Sequence, residues 1–225
     1  LIGVITSANI VDLVDDEMGE DYAKLAGLTA EEDLKEPLKE SMKKRMPWLI
    51  ILLGLGMVVS SVVGIFEKVV TNLPIIMCFK SLILDMAGNV GTQSLAVTIR
   101  VLMDESLTGK QKLELVFKEM RIGLCNGGVL GLMSFVLIGL YIWLFKGKTL
   151  IFAFAVSACI GSSLLLAMLI SSAVGTCIPL FFKKIHIDPA VASGPLITTV
   201  NDLVAVISYY GLSWIFLIGA LHLAG

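Results

Sequence analysis

Charged residues are scarce in this chain. Asp, Glu, Lys and Arg make up 16% of its 225 residues, 56% are hydrophobic, and the mean hydropathy is +0.90. Soluble domains carry roughly 25% charged residues, so this composition excludes an ordinary soluble protein. The basic residues stand in short clusters beside apolar stretches and form no extended basic face, so nucleic acid is not expected as a partner. The composition predicts a membrane protein in contact with lipid.

Groups for soft-metal binding and nucleophilic catalysis are also few. The chain has two histidines and four cysteines, and no two cysteines form a Cys-x-x-Cys pair. This pattern predicts neither a zinc site nor a disulfide framework. Asp85 and Asp202 could suggest an aspartyl protease dyad, but neither stands in a Gly-x-Gly-Asp setting. We therefore predict that the chain is not an enzyme.

The first forty residues differ from the rest, because they hold eleven acidic and three basic side chains. Residues 1–6 look like the last strand of a preceding domain, and residues 7–46 are predicted to form a cytoplasmic connecting region. It opens with an amphipathic helix over residues 7–26, which Gly27 ends. The polar face of this helix could be merely solvated, but its six carboxylates repel one another unless cations gather there. The candidate regulatory residues are Asp12, Asp15, Asp16, Glu17, Glu20 and Asp21.

Five apolar stretches within residues 47–225 are long enough to cross about 30 Å of hydrocarbon as helices. They cover residues 48–66, 74–99, 122–145, 150–182 and 190–222. We therefore predict an all-α membrane protein with five transmembrane helices. Thirteen of the seventeen basic residues lie on the side of the N-terminus, which predicts a cytoplasmic N-terminus and an extracytoplasmic C-terminus. The fourth stretch is too long for one straight span, so tilt or a break near Gly175 or Pro179 is expected.

Ionisable residues inside such spans usually mark an ion path. Three qualify here: Lys80, Asp85 and Asp202. Asp202 stands near the middle of the last predicted span, and Thr198 and Gly194 precede it by four and eight residues on one helical face. Lys80 is interpreted as a side chain that reaches the interface or pairs with an acid. The pore-lining residues predicted in the last span are Gly194, Thr198, Thr199 and Asn201.

The segment Gly88-Asn89-Val90-Gly91-Thr92-Gln93 interrupts the second span with two glycines and several polar side chains. Gly88 and Gly91 could turn backbone carbonyls toward a cavity, which is tolerated at membrane depth only where the backbone lines water or protein. A polar packing site between helices is the alternative interpretation. Predicted ion contacts are Asp85, Gly88, Asn89 and Thr92, and predicted pore-lining residues are Gly91 and Gln93.

Carboxylate, hydroxyl and carbonyl oxygens without sulfur or imidazole suit a hard cation such as Mg²⁺ or Ca²⁺. Mg²⁺ dehydrates reluctantly, so a site that contacts the hydrated ion is sufficient. Two copies of Asp202 on a shared axis would supply a charge of −2, which favours a homodimer. A transporter coupled to H⁺ or Na⁺ would use an intramembrane carboxylate equally well and remains an alternative, whereas a membrane scaffold leaves Asp202 unexplained.

Three motifs in this order resemble those of the MgtE family of magnesium channels. They are Arg45-Met46-Pro47-Trp48-Leu49, the segment from Gly88 to Gln93, and Asp188-Pro189-Ala190 through Ser193-Gly194-Pro195 to Thr198-Thr199-Val200-Asn201-Asp202. The resemblance covers essentially the whole chain. It implies a homodimeric pore in the cell membrane with five helices per chain, preceded by an N-terminal domain, paired CBS domains and an acidic plug helix.

The resemblance also assigns roles to residues. It implies that residues 1–6 end the second CBS domain and that Asp202 is the main residue of a Mg²⁺ site between the second and fifth helices. Gly88, Asn89 and Thr92 would contact the hydration shell of the ion. Intracellular Mg²⁺ bound among cytoplasmic acidic residues would close the channel. Asp85 stands where many members have Gly, so it could add a second ion site.

Overall fold

The computed structural model describes residues 3–30, 32, 34–104 and 107–220. All of the elements in these ranges are helices. The α-helices are α1 (Ser7–Leu25), α2 (Leu38–Ile65), α3 (Glu67–Asn72), α4 (Lys80–Asp104), α5 (Gly109–Phe145), α6 (Leu150–Lys184) and α7 (Gly194–Leu212). Two 3₁₀ helices (Pro74–Phe79 and Pro189–Val191) and one π-helix (Ser213–Ala220) complete the described chain.

Five helical segments are long and apolar enough to cross a membrane, which confirms the predicted fold class. They are Leu38–Ile65, Pro74–Leu102, Gly109–Phe145, Leu150–Lys184 and Gly194–Leu217. Residues 221–222, at the end of the last predicted span, lie outside the described residues. So do Leu1 and Ile2 of the predicted CBS remnant, which stays a prediction.

Local capping fixes where several helices begin. The hydroxyl of Thr6 accepts from the backbone N–H of Asn9, and Thr108 makes the same contact with Gln111 at the start of α5. Each of these bonds satisfies one amide that the first turn leaves without a helical partner. Gly27 follows α1 with a φ of +86°, a conformation that favours glycine and ends the helix.

Both segments in which the sequence suggested an interruption are continuous helix, which for α6 leaves tilt, the other predicted outcome. α4 runs without a break through the segment from Gly88 to Gln93, and α6 passes through both Gly175 and Pro179. At 1.5 Å per residue, the 35 residues of α6 extend about 52 Å, well beyond about 30 Å of hydrocarbon. The excess length is therefore taken up by tilt or by helix outside the bilayer.

α6 is the central helix, since it packs against α4, α5 and α7. Its contact with α5 is close because glycines face each other: a Cβ on Gly131 would lie 2.7 Å from the carbonyl oxygen of Gly161. Gly123 and Gly127 are buried in the same contact, as the small-residue spacing in the third span predicts. Gly56 and Gly64 of α2 have a similar spacing, but a Cβ on either would meet no atom of the described residues within 4 Å.

Candidate functional site

The second and fifth spanning segments meet through α4 and α7, which run antiparallel. A Cβ on Gly88 would lie 3.1 Å from Cγ2 of Thr198, and one on Gly194 would lie 3.9 Å from Cγ2 of Thr92. Residue numbers therefore rise along one helix as they fall along the other. Continuing this register by one turn brings Asp202 of α7 to the level of residue 84 in α4, next to Asp85.

Asp202 lies eight residues after Gly194, about 12 Å along the helix axis. The sequence prediction placed it deeper, because it started the span at residue 190. The helix begins later because Pro189–Val191 forms a separate 3₁₀ turn and the hydroxyl of Ser193 caps α7 by accepting from the N–H of Leu196. Asp202 is half-buried, and the ammonium group of Lys80 interacts with it electrostatically.

One face of α4 presents polar side chains that no other part of the described chain covers. Asp85, Asn89 and Gln93 are all exposed and follow one another at intervals of four residues. Residues at this spacing share a helical face. Since polar groups facing hydrocarbon are costly, this face requires water or protein next to it. The polar strip is the name used below for this face of α4 together with the face of α7 that carries Thr198 and Asp202.

The threonine hydroxyl groups of α4 and α7 at the polar strip donate hydrogen bonds to backbone carbonyl oxygens of their own helices. Thr92 donates to the carbonyl oxygens of Gly88 at 3.1 Å and Asn89 at 2.9 Å. Thr198 donates to the carbonyl oxygen of Gly194 at 3.0 Å, and Thr199 does the same to Pro195 at 2.9 Å. A hydroxyl that donates its only hydrogen keeps lone pairs that can accept. These three hydroxyl groups therefore offer acceptors.

Gly91 and Asn201 do not belong to the exposed face, although both were predicted to line a pore. Both are buried, and a Cβ on Gly91 would overlap the side-chain amide nitrogen of Asn201. A Cβ on Gly175 would likewise overlap the carbonyl oxygen of Gly91. The glycine at this position thus serves close helix packing, which is the alternative that the sequence had left open. Gly88 is also buried, against Thr198.

The amide of Asn201 is unusual, because its nitrogen and its oxygen are both buried without a hydrogen-bond partner among the described residues. Its side chain has an exposure of 0%. An unsatisfied buried polar group costs roughly 1–3 kcal/mol, so the amide of Asn201 beside Gly91 lowers the stability of the fold.

Sequence reasoning missed Glu119. The predicted third span began at residue 122, so Glu119 was assigned to a loop, whereas it lies within α5 with an exposure of 4%. The hydroxyl of Ser94 in α4 donates to its carboxylate at 3.0 Å. A signal was present, because Glu119 continues the four-residue spacing of Gly123 and Gly127 toward the N-terminus and so shares their buried face.

α1 contacts the start of α7 through its last turn and the residues that follow it. The ammonium of Lys24 lies 2.9 Å from the carboxylate of Asp188, and Leu25 packs beside Ile197 and Ala192. A Cβ on Gly194 would lie 3.6 Å from the carbonyl oxygen of Leu25. The end of α1 is therefore seated at the start of the polar strip.

The Lys24–Asp188 pair shifts both pKa values toward the charged forms. The hydrogen bond to Asp188 raises the pKa of Lys24, with partial burial opposing it. Burial alone would raise the pKa of Asp188, but hydrogen bonds from Lys24 and from the N–H of Ala190 outweigh it and lower that pKa. Both side chains are thus held ionised at neutral pH.

The candidate regulatory carboxylates lie on α1. Asp12, Asp15, Asp16, Glu17 and Glu20 are exposed, and Asp21 is half-buried. Within the described ranges, no group of three or more His, Cys, Asp or Glu side chains is arranged to hold a metal ion.

The fold and the polar strip define a polytopic helical membrane protein with a hydrophilic face between its second and fifth spans. The chain belongs to the MgtE family, described as divalent cation transporters, since the family model matches residues 80–212, more than half of its length. The predicted resemblance is thereby confirmed.

Three curated relatives carry the name Magnesium transporter MgtE. The chain is 39% identical over 217 residues to the protein of Enterococcus faecalis and 36% identical over 217 residues to that of Bacillus subtilis. It is 29% identical over 220 residues to the protein of Thermus thermophilus. Each comparison covers 96% of this chain and 46% of the relative, so the chain spans about half the length of these relatives.

Proposed function

We propose that this chain forms the transmembrane path through which Mg²⁺ enters the cell down its electrochemical gradient. The observation that carries the proposal is the half-buried carboxylate of Asp202 at the level of Asp85, on a polar strip within the spanning helices. Ionisable groups are retained at such depth where ions or substrates pass. The curated relatives that are named magnesium transporters support the choice of ion.

Hydrogen bonding in the polar strip supports a hydrated cation. The waters around Mg²⁺ present their hydrogens outward, so they seek acceptors, and Mg²⁺ usually keeps several of them. Thr92, Thr198 and Thr199 have already donated their hydrogens to backbone carbonyls, and Asp202 can only accept when ionised. A wall of this kind binds the hydration shell, and the negative charge of Asp202 favours a divalent ion over a monovalent one.

We expect a homodimer because the polar strip of one chain would form only one wall of an ion path. Asp85, Asn89 and Gln93 are exposed in the single chain, and lipid cannot satisfy them. A second copy related by a two-fold axis would provide the opposite wall and a second Asp202. Gly56 and Gly64 of α2, where an added Cβ would meet no atom of the described residues within 4 Å, offer a surface for close approach between copies.

Regulation is assigned to α1. Its exposed carboxylates repel one another, and cytoplasmic Mg²⁺ that binds among them would lower this repulsion and stabilise α1 against the mouth of the path. The upstream CBS domains expected from the family resemblance would supply further acidic ligands. The N-terminus is then cytoplasmic and the C-terminus extracytoplasmic, as the distribution of Lys and Arg favours.

Flux into proteoliposomes tests this function. Mg²⁺ entry driven by an imposed voltage, followed with an internal indicator, should fall at least about tenfold in Asp202→Asn, since the variant removes a unit charge (~1.4 kcal/mol or more) from the path. Glu114→Gln, which removes an exposed carboxylate in the first turns of α5, serves as the matched control and should leave flux unchanged. Full flux in Asp202→Asn would contradict the proposed site.

The coupled transporter is the second candidate, because an intramembrane carboxylate can also carry a proton. Flux measured at zero voltage with a pH or Na⁺ gradient separates the two functions. Uptake that follows voltage alone supports a channel, whereas uptake that requires either gradient would replace the channel with coupled transport.

A further inference from the structure

A cavity of about 480 Å³ opens at the end of the helix bundle opposite α1. It lies between the segment that precedes α4 and the loop that joins α5 to α6. Its lining includes Asn72, Ile75, Cys78, Lys146, Lys148 and Phe152. None of its lining residues belongs to the polar strip, so ion conduction does not account for it.

Aromatic side chains mark the depth of this cavity in the membrane. Tyr141, Trp143 and Phe145, in the last turn of α5, are exposed on the bundle surface immediately before Lys146. Tyr and Trp gather where hydrocarbon gives way to lipid headgroups. The mouth of the cavity is therefore at headgroup level.

Two ammonium groups at the cavity have no neutralising partner among the described residues. The Lys146 ammonium lies 5.8 Å from the centre of the Tyr141 ring, and that of Lys148 lies 5.8 Å from the centre of the Phe152 ring. No carboxylate in the described ranges forms an ion pair with either. The first turn of α6, which begins after the N-cap residue Thr149, adds its positive dipole end.

The two connecting segments at this end of the bundle carry a net positive charge. The segments 66–79 and 146–149 contain three lysines and one acid, Glu67. The positive charge favours an anion at the cavity. A simple inorganic anion would leave the apolar walls at Ile75 and Phe152 without a partner. A ligand with an anionic head and an apolar body matches both features.

We propose that this cavity binds the headgroup of an anionic phospholipid from the leaflet opposite α1. The phosphate lies between Lys146 and Lys148, the glycerol region contacts Phe152 and Ile75, and the acyl chains remain in the bilayer. A volume of about 480 Å³ suits a headgroup with its glycerol rather than a whole lipid. Zwitterionic headgroups bind less well, because their cationic groups approach the same two ammonium groups.

Native mass spectrometry of the full chain in detergent, titrated with phosphatidylglycerol or phosphatidylcholine, measures this preference. Binding of phosphatidylglycerol should weaken about thirtyfold in Lys146→Gln/Lys148→Gln, given roughly fivefold per basic residue at an anionic lipid surface. Lys110→Gln/Lys112→Gln, at the opposite end of the bundle, is the matched control and should bind as the unmodified chain does. Lys146→Arg/Lys148→Arg keeps the charge and should retain binding.

Cys78 provides a second readout inside the cavity, because it is exposed and lines the wall. In a Cys125→Ser/Cys177→Ser background, phosphatidylglycerol should slow thiol modification of Cys78, and phosphatidylcholine should not. Equal protection by soluble glycerol 1-phosphate would assign the site to a free phosphate ester and overturn the lipid proposal. Equal binding of both lipids, or unchanged binding in the lysine-to-glutamine pair, would also overturn it.

Discussion

Replacing Gly91 by alanine tests how the polar strip is assembled. The added Cβ would overlap the amide nitrogen of Asn201 and lie 3.1 Å from Cγ2 of Ile197. The backbone of Gly91 also contacts α6, since a Cβ on Gly175 would lie 3.0 Å from its carbonyl carbon. α4 therefore cannot move away from α7 without disturbing its contact with α6.

The expected magnitude follows from two opposing terms. Overpacking of a close contact costs about 1–3 kcal/mol, whereas Gly→Ala inside a helix contributes about 0.5–1 kcal/mol of stability. The net loss for Gly91→Ala is about 1–2 kcal/mol, which lowers Tm by about 3–6 °C for a chain of this length. Gly54→Ala, whose Cβ would meet no atom of the described residues within 4 Å, should instead raise Tm by about 1–3 °C.

The double variant Gly91→Ala/Asn201→Ala identifies the clashing partner. Asn201→Ala removes the overlapping amide, whose polar atoms make no hydrogen bond in the described chain, so the two changes should compensate by at least about 1 kcal/mol. Thermal unfolding of the purified protein and Mg²⁺ flux are measured on all four chains. A double variant no more stable than Gly91→Ala, or a Gly91→Ala chain as stable as Gly54→Ala, would refute the proposed contact.

Three further outcomes are expected. The pKa of Asp188 is lowered and that of Lys24 is raised, so their pair stabilises the docked α1 between about pH 4 and about pH 10, and this stabilisation is lost as pH falls through the folded pKa of Asp188 or rises through that of Lys24. Hydrogen exchange of α1 should accelerate below about pH 4 or in Lys24→Met, and unchanged exchange would refute the contact. Glu119→Ala should lower stability by about 2 kcal/mol, because Ser94 loses its buried acceptor, while Glu119→Gln costs less; equal Tm values would contradict this role. Asp85→Asn should reduce Mg²⁺ flux several-fold, but less than Asp202→Asn does, since Asp85 is the more exposed; flux equal to that of the unmodified chain would exclude it from the path.

The number and type of membrane spans were predictable, but their ends were not. Hydropathy detects where a chain leaves hydrocarbon, whereas a helix continues until a cap or a breaker stops it. α5 starts at Gly109, thirteen residues before the predicted span, because the capping box at Thr108 starts a helix that projects beyond the apolar stretch. Because the predicted span started too late, the prediction placed Glu119 in a loop, although it lies on a buried face of α5.

The chemical character of the candidate site was also predictable, whereas its faces were not. Asp202, Thr198 and Asn89 stand out because polar residues are rare within spans. Whether Gly91 exposes a carbonyl or admits a neighbouring helix depends on what packs against it, and the α4–α6–α7 contact arises only from the tertiary arrangement. Local sequence does not contain that information.

The charge of the polar strip constrains how it can hold a divalent ion. Each chain contributes two carboxylates at one level, Asp202 and Asp85, and one ammonium, Lys80, whose charge acts on Asp202. The net charge of this group is −1 when all three are ionised, so the proposed two-fold dimer carries −2 and balances one Mg²⁺. Lys80 thus partly neutralises Asp202 while the ion is absent, which lowers the cost of retaining the second acid, Asp85, within the membrane. In the proposed dimer, Mg²⁺ would then meet a site of matched charge rather than one of −4, which would favour entry without binding so tight that the ion cannot leave.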